Sequence, residues 1–177
     1  SGSGKSTLLA CLAGLDEPDG GVVHVGGERI SHRPEAERAR MRARRIGVLS
    51  QSGNLIAHLD VRANIRLARG ATPGTAGQSV GELLDQVGLG HRARALPREL
   101  AGGELARAGL AVALANDPDI LLADEPTGEL DGATEQRVLR LLCSRALAGG
   151  GVLLVTHSPE AVKIADRVIT LRDGRAS

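Results

Sequence analysis

Three short runs in this sequence are apolar at consecutive positions and uncharged within. Each stops at a residue with hydrogen-bonding or acid–base chemistry. Ile46 to Ser50 is followed by Gln51, Ile120 to Ala123 (entered from Asp119) by Asp124-Glu125, and Gly151 to Thr156 by His157. A strand with one wet face alternates apolar with polar, and these runs do not alternate. They fit strands covered on both faces, as in a parallel sheet between helices. Helical stretches separate them, so the order is α/β. Ligands of such sheets bind at the carboxyl ends of the strands. The three polar stops therefore fall on the edge where chemistry is expected.

The 177 residues suit one domain. Phe, Tyr and Trp are absent, so a core must be filled by Leu, Val, Ile and Ala, which can still pack densely. A formal net charge of +1 argues neither for nor against nucleic acid as a partner. The Arg33 to Arg45 stretch is basic, but Glu35 and Glu37 offset it, and a solvated helix face is the simpler reading. No nucleic-acid partner is expected. The two cysteines, Cys11 and Cys143, form neither a metal spacing nor a disulfide framework, which fits a reducing, cytoplasmic setting. No apolar run approaches the roughly 20 residues of a membrane span, so a membrane link would run through a partner. The chain opens on Ser1 and its one methionine is Met41, so residue 1 is not expected to be a natural start.

The remaining elements follow from periodicity and breakers. Leu8 to Ala13 reads as a helix fed by a Gly/Ser loop and stopped at Gly14. Gly21 to Val25 reads as a short strand turned by Gly26-Gly27, and Pro34 to Arg45 as a charged helix. Val61 to Arg69, Val80 to Val87 and Gly102 to Ala115 read as helices, with a Gly/Thr/Pro loop at Gly70 to Gly77. Gly132 to Ala148 and Pro159 to Ala165 are further helices, and Arg167 to Leu171 reads as a last strand before a turn at Asp173-Gly174. Residues 52–117 interrupt the alternation and read as a helical subdomain inserted into a core of residues 1–51 and 118–177.

Gly2-Ser3-Gly4-Lys5-Ser6-Thr7 matches the back half of a phosphate-binding loop, G-x-x-x-x-G-K-[ST]. Glycines let backbone N–H groups close on phosphate oxygens, and the helix that follows presents its positive end. Lys5 would reach the terminal phosphates and Ser6 would ligate Mg²⁺. Alone, the same residues also fit a Gly/Ser linker before a lysine. Asp124 would hold Mg²⁺ and Glu125 would polarise a water, although an exposed acidic turn is the alternative. His157 could meet the γ-phosphate, and the Gln51 amide could contact Mg²⁺ or water. Read singly, the histidine fits a structural role and the glutamine a solvated loop. It is their joint placement on one sheet edge that argues for a site.

Leu100-Ala101-Gly102-Gly103-Glu104 resembles the ABC signature sequence LSGGQ or LSGGE. Leu121 through Asp131, LLADEPTGELD, resembles the Walker B strand and D-loop of ABC ATPases. With Lys5, Gln51 and His157 in order, the chain is similar over essentially its whole length to the ATP-binding cassettes of ABC transporters. Gln51-Ser52-Gly53-Asn54-Leu55 and ADEPTG resemble the lipoprotein-release, macrolide-export and cell-division group. The resemblance implies a P-loop NTPase, RecA-like core with parallel sheet and inserted helical subdomain. It implies ATP and Mg²⁺ as cofactors and a subunit that hydrolyses ATP. It also implies a membrane subunit as partner and a peripheral position on the cytoplasmic face of the plasma membrane. Two cassettes would sandwich two ATPs head to tail, with Ala101, Gly102 and Gly103 facing the phosphate loop of the second copy and Asp131 coupling the sites. The phosphate loop's first glycine and the family's leading strands would precede Ser1. Residues 51 to about 59 would face the membrane subunit.

The departures from the family pattern are specific. Ala101 stands at the signature serine, and losing one hydrogen bond to a charged phosphate costs about 1.5–3 kcal/mol. Val112 stands at an arginine, and Ser50 and Gly53 where an aromatic is usual. They keep a second reading open, a regulatory cassette that binds nucleotide with little hydrolysis. Retention of Glu125 and His157 favours hydrolysis.

Overall fold

The computed structural model of the chain describes residues 4–70, 78–128 and 130–176. In chain order the elements are α1 (Lys5–Leu12), β1 (His24–Val25), β2 (Glu28–Arg29), α2 (Glu35–Arg45) and β3 (Ile46–Leu49). Then come α3 (Val61–Gly70), α4 (Val80–Gln86), α5 (Gly102–Ala113), β4 (Ile120–Asp124) and α6 (Gly132–Leu147). The last are β5 (Gly151–Val155), α7 (Pro159–Ile164), β6 (Leu171–Arg172) and β7 (Arg175–Ala176).

The three uncharged runs form one parallel sheet in the order β3-β4-β5. Leu49 pairs with Ala123, and Asp124 with Val155. The central strand explains the lack of alternation. Leu121 and Ala123, both 0% exposed, join Leu49, Leu110, Val138, Leu139 and Leu142 on the face covered by α5 and α6. Leu122 points the other way, to Leu9, Ala13, Ile30 and Ile46 under α1. Each fully buried leucine contributes about 1.5–3 kcal/mol, so a polar residue inside β4 would be costly on either face.

The stretch between β3 and β4 is helical and has a core of its own, with Val61, Ile65, Leu83, Leu84, Val87 and Leu89 against Ala108 and Ala111 of α5. Helix α5 serves both cores, turning Ala108 and Ala111 to one and Leu110 and Ala113 to the other. The inserted helices are thereby locked to the sheet.

Three expectations need correction. The last strand is not Arg167 to Leu171. Val168 and Ile169 are 55% and 53% exposed, and residues 167–170 carry no ladder. A strand needs a partner for its backbone groups. The ladder here is made by Leu171 and Arg172, in an antiparallel hairpin with Arg175 and Ala176. Its Asp173-Gly174 turn has φ of 47° and 74°, the geometry two-residue hairpins favour. Secondly, the first helix begins at Lys5, so Lys5, Ser6 and Thr7 lie in its first turn. The strand Gly21 to Val25 shortens to His24–Val25, closed against Glu28–Arg29. Gly2, Ser3, Glu129 and residues 71–77 of the expected loop lie outside the described residues.

Candidate functional site

Gly4 caps α1 with φ of 86°, a left-handed conformation that costs L side chains about 1–2 kcal/mol. It lets the chain turn into the helix so that Lys5, Ser6 and Thr7 form the first turn, where backbone N–H groups point outward along the axis. The Ser6 hydroxyl donates to Asp124 Oδ2 at 2.9 Å, across 118 residues of sequence. The hydroxyl of the phosphate-loop motif and the carboxylate ending β4 thus converge. Both are hard oxygen donors of the kind Mg²⁺ takes from a protein while phosphates and waters complete its shell. No cluster of three or more His, Cys, Asp or Glu among the described residues offers a metal cage.

Glu125 leaves the strand with φ of 46°, although its N–H still donates to the Val155 carbonyl at 2.9 Å. A left-handed non-glycine residue is strained, by about 1–3 kcal/mol, and such residues concentrate at functional sites. The turn swings the carboxylate over the end of β5. There the His157 backbone N–H donates to Oε2 at 3.4 Å, and the imidazole Nε2 lies 3.6 Å from Oε1. The His157 side chain is 74% exposed, open to whatever approaches this edge, while that of Glu125 is 19% exposed. The structure therefore brings Ser6, Asp124, Glu125 and His157 together. Gln51 is exposed two residues beyond the Leu49–Ala123 pair, on the same edge but outside those contacts.

A second group sits at the start of α5. Ala101 is the N-cap, and its N–H donates to Glu104 Oε2 at 3.0 Å. This is half of a capping box, because a methyl group cannot accept the returning bond. The Ala101 N–H, and then Arg92 at 2.9 Å, hold the Glu104 carboxyl below its usual range. Gly103 lies against the first turn of α6, where a Cβ would come within 2.5 Å of Thr134 Cγ2. Asp131 caps that helix, accepting from the backbone of Ala133 and Thr134 at 3.0 Å each and from the Thr134 hydroxyl at 2.7 Å. The Thr134 hydroxyl bond leads in holding the Asp131 carboxyl below its usual range. Among the described residues no hydrogen bond or ion pair links Ala101, Gly102 or Gly103 to Ser6, Asp124, Glu125 or His157.

Sequence reasoning passed over Thr127, Glu135 and Ser158. The Thr127 hydroxyl donates to Glu135 Oε1 at 3.2 Å and the Ser158 hydroxyl to the same oxygen at 2.6 Å. Their separations of 8 and 23 residues leave no local pattern to read. Ser158 before Pro159 signals a helix start and nothing more.

The family model described as "ABC transporter" matches residues 1–128. An ABC transporter ATP-binding protein of Mycobacterium tuberculosis, Rv0986, is 41% identical over 179 residues, covering 99% of this chain and 72% of that protein. The macrolide export ATP-binding/permease protein MacB of Marinobacter nauticus is 38% identical over 98% of this chain and 28% of its own length. Among solved structures, the dimeric bacterial ABC transporter cassette MJ0796 superposes with a TM-score of 0.91 at 34% identity, covering 99% of this chain and 79% of that one. A post-hydrolysis dimer of MJ0796 bound to ADP and phosphate gives 0.89 at 32% identity, over 99% and 80% of the two chains.

Proposed function

This chain belongs to the ABC transporter family as an ATP-binding cassette, and on that premise we propose that it hydrolyses ATP to move a membrane subunit. The observation that carries the reading is the Ser6–Asp124 hydrogen bond beside the Glu125–His157 pair, two contacts on one sheet edge made by three elements distant in sequence.

In the proposed reaction the α1 N-terminus and Lys5 bind the β- and γ-phosphates of ATP. Glu125 orients the attacking water and accepts its proton, and the exposed His157 donates to the γ-phosphate as negative charge spreads. Fixed donors of this kind stabilise a transition state without reorganising. Mg²⁺, held by Ser6 and Asp124 with Gln51 beside them, would neutralise phosphate charge. Gly2, Ser3 and Thr7 would complete the phosphate cradle.

We read residues 1–51 and 118–177 as the catalytic core and 52–117 as the helical subdomain. The signature group Ala101, Gly102 and Gly103, with Asp131, would serve the phosphate loop of a second copy in a head-to-tail dimer. The dimeric MJ0796 structures support a paired cassette, and the fused permease of MacB supports a membrane partner. No helix among the described residues is long and apolar enough to cross a membrane, and through its membrane subunit the cassette would sit peripherally on the cytoplasmic face of the plasma membrane. Ala101 supports a second reading, a cassette that binds ATP and closes weakly.

The test is Mg-ATP hydrolysis by the chain beside Lys5→Ala and Glu125→Gln. Turnover lost in both variants is the expected result. Equal turnover in all three would contradict the site. ATP binding without turnover in the unmodified chain would favour the second reading.

A further inference from the structure

One oxygen of Glu135 receives two hydroxyl groups from the two loops that carry Glu125 and His157. Thr127 lies two residues after Glu125, is 4% exposed, and donates to Glu135 Oε1 at 3.2 Å. Ser158 follows His157 directly and donates to the same oxygen at 2.6 Å. The bonds continue outward. Ser158 Oγ also accepts the Ala161 N–H at 3.2 Å as the cap of α7, and the Ser158 N–H donates to Thr156 Oγ1 at 2.9 Å. On the other loop, the Leu130 N–H donates to the Thr127 carbonyl at 3.1 Å and the Gly128 N–H to the Glu125 carbonyl at 3.3 Å. Glu135 itself sits in the first turn of α6, where a carboxylate is favoured by the helix N-terminus. Its N–H donates to the Asp131 carbonyl at 2.8 Å, so the carboxylate is carried on a capped, rigid turn.

We propose that Glu135 is a positioning residue: by accepting from Thr127 and Ser158 at one oxygen, it fixes the Glu125 and His157 loops at a set distance from each other. The two loops also touch through the 3.4 Å and 3.6 Å contacts between Glu125 and His157. Those contacts are long, and His157 is largely exposed. The short Ser158–Glu135 bond and the buried Thr127 hydroxyl are the firmer tie. Without the Glu135 acceptor the loop bearing His157 keeps its helix cap but loses its bond to α6, and the buried Thr127 hydroxyl loses its partner. Placement errors of this size matter, because a proton acceptor and a phosphate donor act only when held in reach of the reacting atoms. A glutamine retains the accepting oxygen and an alanine does not, so the two variants separate acceptance of the hydroxyls from mere occupancy.

The role in turnover rests on the ATPase reading above, and the first readout is chosen to be independent of it. The imidazole Cε1–H signals of His24, His32, His58, His91 and His157 are followed by NMR, with the His157 signal assigned by its loss in His157→Ala. In Glu135→Ala the His157 signal is expected to shift more than the other four, and in Glu135→Gln to stay in place. A His157 signal that moves no more than the others in Glu135→Ala overturns the proposal. Should Glu135→Ala fail to fold, Ser158→Ala and Thr127→Val, each removing one hydroxyl donor, must show the same selective shift, and its absence in both overturns the proposal equally. If the unmodified chain turns over ATP, Glu135→Ala is expected to lower kcat about tenfold with KM for ATP within twofold, and Glu135→Gln to restore it. A rise in KM at unchanged kcat would assign Glu135 to binding and overturn the proposal. If the unmodified chain shows no turnover, the ATPase reading fails while the NMR result still decides the position of His157.

Discussion

The carboxyl edge of the sheet and the N-terminus of α5 both carry residues that the sequence singled out, but the two are built to different degrees. At the sheet edge, Ser6, Asp124, Glu125 and His157 meet one another within the chain. At α5, Ala101 and Gly102 are exposed, and the bonds around them serve the helix ends, through Glu104 on α5 and Asp131 on α6. The first region is assembled by folding alone. The second is a finished surface that, on the proposed reading, would meet a phosphate carried by a second copy. That difference is the physical argument for a second copy.

Four substitutions separate the two regions, from the largest effect to the smallest. Lys5→Ala removes the cation proposed to bind phosphate in the first region and should lower kcat/KM for ATP hydrolysis about 1000-fold, with nucleotide binding lost in a fluorescent-ATP titration. Retained binding would show that α1 is not the phosphate site. Glu125→Gln keeps shape and removes the carboxylate proposed to accept the proton of water. Turnover should fall about 100-fold or more with ATP affinity unchanged, as single-turnover and binding assays would report. Gly103→Val puts a branched side chain where even a Cβ would meet Thr134 at 2.5 Å. Overpacking costs about 1–3 kcal/mol of fold stability, and displacement of the α5 start from α6 should lower turnover about 30-fold, with ATP binding by the single chain kept within twofold. Weakened binding there would mean that the two regions are not separate. Ala101→Ser supplies the missing hydroxyl and completes the capping box with Glu104. Turnover should rise about tenfold and the melting temperature should rise slightly, in line with about 1 kcal/mol for an N-cap. Unchanged or lower turnover would clear Ala101 as the weak point.

Much of the first region was legible because buried parallel strands leave a strong mark. The uncharged run buried on both faces of β4 stops where water begins, so Asp124 and Glu125 announce themselves there, and His157 stands at the end of a parallel uncharged run, β5, that is only partly buried. The helix ends were legible for the same kind of reason, and α6 and α7 fall within a residue of their expected limits. The second region was not readable from spacing. Leu100 to Glu104 acquired a role only through its resemblance to a family motif. Its packing against Thr134 depends on a contact between helices 31 residues apart, for which no periodicity exists. The Arg167 to Leu171 strand failed for a related reason. Val168 and Ile169 have the composition of a strand, yet strand formation depends on a neighbouring ladder that composition does not report. Glu135 was invisible because a glutamate in a first helical turn is commonplace. Only the tertiary contacts with Thr127 and Ser158 distinguish it.

The most direct measurement of the central claim is the mass of Glu125→Gln by light scattering, with and without Mg-ATP. The account predicts a monomer without nucleotide and a doubled mass with it, and a monomer under both conditions once Gly103→Val is added. A Glu125→Gln chain that binds ATP and remains a monomer, or a dimer that forms equally without ATP, would contradict a site completed across two copies.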